Sequence, residues 1–188
     1  MSATNRGAIR RESDFYRTPE WVVDSIIQTL GAPYFSGAYV LEPCAGDGVI
    51  VEKIRSCSHS AQITAIEIRP EEKQKLIEAG ADQVIIDNFL EARSNFPDPD
   101  IIITNPPYSV AQEIIEHCFE IAPDAEVIML LRLAFLESKK RKSFWDKHPV
   151  TQLYVLSERP SFTGKGTDAT AYAWFVWSKY REPKIQVI

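Results

Sequence analysis

The sequence predicts an α/β fold built on one doubly wound, mostly parallel sheet. Three observations carry that prediction. Short apolar, β-branched runs alternate with helical patterns, Ile101-Ile102-Ile103-Thr104 being the plainest strand. A Gly-x-Gly turn, Gly46-Asp47-Gly48, joins a strand to a helix. Polar residues also recur where strands end, at Glu42/Gly46, Glu67, Asp87 and Asn105. Open α/β sheets bind their ligands at the carboxyl ends of strands, so this placement marks a site as well as a fold.

The elements follow in order. Thr18-Pro19 reads as a helix start, with Thr18 as N-cap and Pro19 at the first helical position. The run beginning Ala38-Tyr39-Val40-Leu41 is a strand leading into Glu42-Pro43-Cys44-Ala45-Gly46-Asp47-Gly48, and Val49 to Arg55 has a helical pattern. Gly46 and Gly48 permit backbone angles closed to other residues and let a ligand approach the main chain. Gln62 to Ile66 is a second strand ending in Glu67, where doubly wound folds hold ribose hydroxyls. Gln83 to Ile86 is a third, ending in Asp87-Asn88-Phe89, an acceptor for an adenine amino group beside an aromatic ring for the purine. Val51 stands where a dinucleotide fingerprint needs its third glycine, which disfavours a nicotinamide cofactor.

Beyond the fourth strand, Ser109 to Ala122 reads as a helix with Val110, Ile114, Ile115, Cys118 and Phe119 on its core face. Glu126 to Leu133 is a fifth strand and Glu137 to Lys147 a further helix. Val150 to Leu156 and Ala171 to Trp177 form two more strands, joined by the polar loop Ser157 to Asp168 with Phe162 in it. Trp174 and Trp177 belong to the core or the sheet surface.

Asn105-Pro106-Pro107-Tyr108 follows the fourth strand and carries the chemistry. The lone pair of adenine's exocyclic nitrogen is delocalised into the ring, so that amine is a weak nucleophile. The Asn105 side-chain oxygen and the Pro106 carbonyl can both accept hydrogen bonds from it. Two acceptors out of the ring plane favour a pyramidal nitrogen, which is transition-state stabilisation by preorganised dipoles. The prolines stiffen the backbone and remove N–H donors, and Tyr108 offers a ring on which a base can stack. By itself the tetrapeptide also reads as a plain turn; its place in the chain favours the site.

With these motifs the chain resembles the S-adenosylmethionine-dependent DNA adenine-N6 methyltransferases, most of all the small single-domain type of phage and prophage genomes. The resemblance spans about residues 15 to 178. It implies a Rossmann-like class I methyltransferase fold, with helices on both faces of a seven-stranded mixed sheet of order 3-2-1-4-5-7-6. It implies that Glu42, Pro43, Cys44, Ala45, Gly46 and Gly48 form the methionine-binding loop of the cofactor. Glu67 would bind its ribose, and Asp87 and Phe89 its adenine. The segment Tyr16-Arg17-Thr18-Pro19-Glu20-Trp21 would close over the methionine end. Asn105 to Tyr108 would be the catalytic motif, and Phe162 would stack on the flipped base opposite Tyr108, with Tyr172 as the alternate. The motif suits any planar amide or amine nitrogen, so RNA adenine and protein glutamine remain alternative acceptors. A non-enzymatic cofactor-binding module of a larger assembly is the alternative of another class.

Length and composition bound the rest. At 188 residues the chain suits one domain, 15–188, without a separate target-recognition domain, preceded by a flexible segment 1–14. No signal-like start or membrane-length apolar run appears, and three cysteines (Cys44, Cys57, Cys118) without metal-like spacing suit reduced thiols in the cytoplasm and no metal. The net charge of −5 is unusual for a nucleic-acid binder. Basic residues cluster locally at Lys139, Lys140 and Arg141, which are candidate phosphate contacts, and at Arg6, Arg10, Arg11 and Arg17. A target base would be flipped out or single-stranded.

Overall fold

The computed structural model describes residues 17–92, 96–162 and 166–188. Tyr16, the basic residues Arg6, Arg10 and Arg11, and the predicted flexible segment lie outside them. The strands are β1 (Tyr39–Glu42), β2 (Gln62–Glu67), β3 (Gln83–Ile86), β4 (Ile101–Thr104), β5 (Glu126–Arg132), β6 (Gln152–Val155), β7 (Tyr172–Trp177) and β8 (Lys184–Val187). The α-helices are α1 (Glu20–Leu30), α2 (Val49–Cys57), α3 (Lys73–Glu78), α4 (Ala111–Ile121) and α5 (Lys142–Lys147).

All strands join one sheet of order β3-β2-β1-β4-β5-β7-β6-β8, in which β7 runs antiparallel to β5 and β6. The predicted order holds for seven strands. The eighth is a correction: β8 pairs parallel with β6, Leu153 opposite Ile185 and Val155 opposite Val187. Its apolar residues stay 78% and 64% exposed at Ile185 and Val187, so it lacks the buried alternation that marks a strand.

β4 is buried on both faces, which is why it is a continuous β-branched run. Period-two alternation divides the sheet residues between two cores. Val40, Ile63, Ile103, Leu130 and Trp174 face α1 and α2, whereas Leu41, Ile66, Ile102, Leu131 and Phe175 face α4 and α5. Trp174 and Trp177 are buried, as the sequence predicts. The Trp174 indole donates to the Val22 carbonyl at 3.0 Å and ties β7 to α1.

Helix starts differ from the predictions for identifiable reasons. Pro19 is the N-cap of α1, extended at ψ 139°, and no side chain caps the helix, so Thr18 stands one residue outside it. α4 begins at Ala111 rather than Ser109. The predicted helix Glu137 to Lys147 is broken, because Ser138 takes φ 124° and its hydroxyl accepts the Lys140 N–H, giving a 3₁₀ turn before α5. No described helix is long and apolar enough to cross a membrane.

Candidate active site

A cavity of about 620 Å³ opens along the carboxyl ends of β1 to β4. Thr18, Glu42, Pro43, Cys44, Ala45, Gly46, Glu67, Asp87, Phe89, Asn105, Pro106, Pro107 and Tyr108 all line it. Pro19, Gly48, Phe162, Lys139, Lys140 and Arg141 do not. Asp47, Ile68, Arg69 and Leu90 line it without having been singled out from the sequence.

Gly46 takes φ 59° and donates its N–H to Glu67 Oε2 at 2.6 Å, so the turn after β1 is pinned to the end of β2. Glu67 Oε1 accepts from the Arg69 backbone N–H at 3.0 Å and its guanidinium at 2.9 Å. That leaves one acceptor position on Oε2. Gly48 is also required by packing. At φ 89° a Cβ there would lie 2.9 Å from the Ala79 Cβ and 3.2 Å from Leu76, so the glycine lets α3 approach the start of α2.

The cavity floor is acidic. Glu42 is 2% exposed, and its Oε2 has no hydrogen-bond partner. Burial, then Glu67 and Asp47, pushes its carboxyl well above the usual carboxylate range. A buried carboxylate oxygen left unpartnered at a cavity wall suits a cationic ligand group. Burial also pushes the Cys44 thiol up, with Glu67 and Glu42 adding to it, so this thiol is held protonated and is no nucleophile. At the end of β3, Asp87 Oδ1 accepts the Asn88 N–H at 2.7 Å, and the Phe89 ring rests edge-on against His117 at 4.9 Å.

Asn105 is held at both ends of its carboxamide. Nδ2 donates to Thr18 Oγ1 at 2.9 Å, and Oδ1 accepts the Tyr108 hydroxyl at 3.0 Å. Burial first, and the neighbouring Tyr172 next, raises the Tyr108 phenol well above its ordinary value, which keeps it a neutral donor. Phe162 meets the Tyr108 ring at 6.5 Å and 73°, edge to face, so the two rings come together without forming a slot. Tyr172, the alternate stacking residue, is fully buried beside both rings. Its hydroxyl donates to Asp168 at 2.7 Å and accepts from Arg132 Nε at 3.1 Å.

Arg132 is a further residue not singled out from the sequence, since nothing but its position at the end of β5 could have marked it. Its guanidinium lies over the Tyr108 ring, 4.9 Å from the centroid. Of the basic run, Lys139 and Lys140 are exposed. Arg141, the third predicted phosphate contact, is half-buried and turns one guanidinium nitrogen back onto its own turn. Its guanidinium donates to the carbonyls of Ala134 and Phe135 at 3.3 Å and of Glu137 at 2.8 Å, and it lies over the Phe135 ring.

No protein-family profile and no curated protein matches the chain. Among solved structures it is similar to a protein of Pyrococcus horikoshii described as a candidate RNA methyltransferase. That match has 19% identity and a TM-score of 0.72, and covers 94% of each chain. It is similar to the M protein of the type I restriction enzyme EcoKI at 15% identity and TM-score 0.68, covering 92% of this chain and 46% of that longer one. A dimethyladenosine transferase from Plasmodium falciparum matches at 14% identity and TM-score 0.64, over 87% of this chain and 63% of that one. The fold is therefore the Rossmann-like one shared by these methyltransferases.

Proposed function

We propose that this chain transfers a methyl group from S-adenosylmethionine to the N6 amine of adenine in DNA, in the manner of the small phage and prophage enzymes. The observation that carries the reading is that the Asn105 carboxamide lines the same cavity as Glu42, Gly46, Glu67 and Asp87. When bound there, S-adenosylmethionine supplies an electrophilic methyl carbon on a sulfonium.

The residues fit that cofactor. The unpartnered oxygen of Glu42 answers the positive charge of the methionine end, and the Gly46 turn lets that end reach the main chain. Glu67 Oε2 keeps one acceptor position for a ribose hydroxyl. Asp87 and Phe89 serve the adenine, one as acceptor and the other as an apolar wall. On the acceptor side, Asn105 Oδ1 and the Pro106 carbonyl take the hydrogens of the target amine and localise its lone pair. Tyr108 supplies a stacking face, and Phe162 swings from its edge-to-face contact to cover the base. Lys139 and Lys140 hold phosphate, which positions the substrate without reading its sequence. The target base is flipped out or unpaired, and selectivity is low or short. Three unpaired cysteines suit the reducing cytoplasm.

Incubation with labelled cofactor and DNA, RNA or glutamine peptides tests the proposal. Label in N6-methyladenine of DNA supports it. Label only in RNA or peptide replaces it with one of the alternative acceptors, and cofactor binding without transfer to any of them indicates a binding module.

A further inference from the structure

Thr18 has a hydroxyl that its local sequence does not use. A threonine before a proline at a helix start ordinarily caps the helix, but α1 is capped by Pro19 without any side-chain bond. Thr18 is only 5% exposed, and its hydroxyl meets Asn105 Nδ2 across 87 residues of sequence. We propose that Thr18 is a positioning residue that fixes which end of the Asn105 carboxamide faces the acceptor amine. The catalytic consequence rests on the methyl-transfer reading; the hydrogen bond itself does not.

A carboxamide is nearly symmetric in shape and opposite in polarity at its two ends. Turned over, Asn105 would present NH2 to an incoming NH2, and the acceptor on which the chemistry depends would be lost. Asn105 touches two hydroxyls, and each can donate or accept. Their chemistry separates them. The phenol oxygen of Tyr108 shares its lone pairs with the ring, so Tyr108 is the stronger donor and the weaker acceptor. The aliphatic hydroxyl of Thr18 is the better acceptor. The favoured arrangement has Tyr108 donating to Oδ1 and Thr18 accepting from Nδ2, and both bonds are formed. One lone pair on Oδ1 is then left for the target amine. Without the Thr18 hydroxyl, Nδ2 would lose its partner in a part-buried position. Turning the amide, so that Tyr108 accepts from it, would relieve that loss at the expense of the acceptor.

The test compares Thr18→Val, which keeps the shape and loses the hydroxyl, with Thr18→Ser, which keeps the hydroxyl. At saturating cofactor, Thr18→Val should lower kcat about tenfold or more, a share of the 10²–10³ lost when one preorganised polar partner is removed. Any change in its cofactor Kd, given that Thr18 lines the same cavity, should be smaller than the loss in kcat, and Thr18→Ser should restore turnover. Wild-type kcat in Thr18→Val, equal damage in Val and Ser variants, or a loss confined to cofactor affinity would each overturn the proposal. A second readout does not depend on activity. The Asn105 side-chain amide resonances, assigned by their loss in Asn105→Asp, should shift in Thr18→Val and stay in place in Thr18→Ser. If they stay in place in Thr18→Val, the positioning bond is refuted whatever the enzyme methylates. If the resonances respond but the wild type methylates no acceptor, the functional reading fails while the bond stands.

Discussion

At the ends of β2 and β3 the carboxylates take mostly main-chain N–H groups, whereas at the ends of β4, β5 and β7 the polar side chains answer one another. On the first side Glu67 takes the Gly46 and Arg69 N–H groups and Asp87 takes that of Asn88. On the second, Thr18, Asn105 and Tyr108 form one chain of side-chain contacts, which Arg132 carries on to Tyr172 and Asp168. The first arrangement uses main-chain donors of the turns that directly follow the paired strands. The second requires distant segments to arrive together, and each member can change partner. On the proposed reading, the first side is a preformed cofactor cradle and the second an adjustable acceptor site.

If the two sides are separable, Asn105→Ala should show it with the largest effect. Turnover should fall by about 2.7–4 kcal/mol of transition-state stabilisation, the scale of one lost preorganised polar partner. Calorimetric cofactor affinity should be unchanged. A large loss of affinity in this variant would mean that the halves are coupled.

The converse variant is Glu67→Gln. It removes the charge that pins Gly46 and Arg69, and hydrogen bonds to a charged group contribute about 1.5–3 kcal/mol. Both thermal stability and cofactor affinity should drop together, while kcat at saturating cofactor changes little. Unchanged affinity would remove Glu67 from the cofactor side.

Phe162→Ala sharpens the account of the adjustable side. Losing a base-stacking face costs about 1–3 kcal/mol. The penalty in kcat/KM should be smaller on single-stranded or mismatched substrates, where the base is already unstacked. Equal penalties on paired and unpaired substrates would show that Phe162 only supports Tyr108.

This contrast also explains what the sequence could disclose. Glu42, Gly46, Glu67, Asp87 and Asn105 were legible because a strand end is recognisable from local pattern and its direction follows from parallel pairing. Seven of the strands were legible for the same reason. Arg132 was not, because its meaning lies in a ring contributed by β4's loop. Thr18 reads locally as a cap, yet its hydroxyl meets a residue 87 positions away, and the carbonyl bonds of Arg141 depend on a turn that no local pattern marks. The strand β8 was hidden by its exposure, and the break at Ser138 by a left-handed residue that no glycine announces.

Glu42 gives a smaller, pH-dependent effect. Its folded pKa is raised above the unfolded carboxylate value, so the folded state holds the proton more tightly. Stability from this group is therefore fully present below the unfolded value and is lost as pH rises through the folded one. Glu42→Gln should flatten that decline and raise Tm at neutral pH in the cofactor-free protein, about 1 kcal/mol corresponding to 2–4 °C at this size. The same change should weaken cofactor binding, because the amide no longer answers a positive charge. A variant less stable than wild type at neutral pH would show that the charge is compensated in solution.

The smallest expected effect separates two neighbours in the basic run. Lys139 and Lys140 are exposed, whereas Arg141 is occupied by three carbonyls of the turn that follows β5. Phosphate contacts release counterions, so Lys140→Ala should lower DNA affinity uniformly across sequences and reduce the salt slope of binding by about one. Arg141→Ala should leave that slope unchanged. It should instead loosen the turn, since Ala134, Phe135 and Glu137 lose a shared donor, and this should appear as faster amide exchange around Phe135 and lower Tm. The turn starts one residue after Arg132, which lies over Tyr108, so some loss of kcat should accompany it. A salt slope reduced equally by both substitutions would place Arg141 among the phosphate ligands too, and the turn would then be held by its remaining bonds, among them those from the Trp145 indole to the Phe135 carbonyl and from the Leu133 N–H to the Ala171 carbonyl.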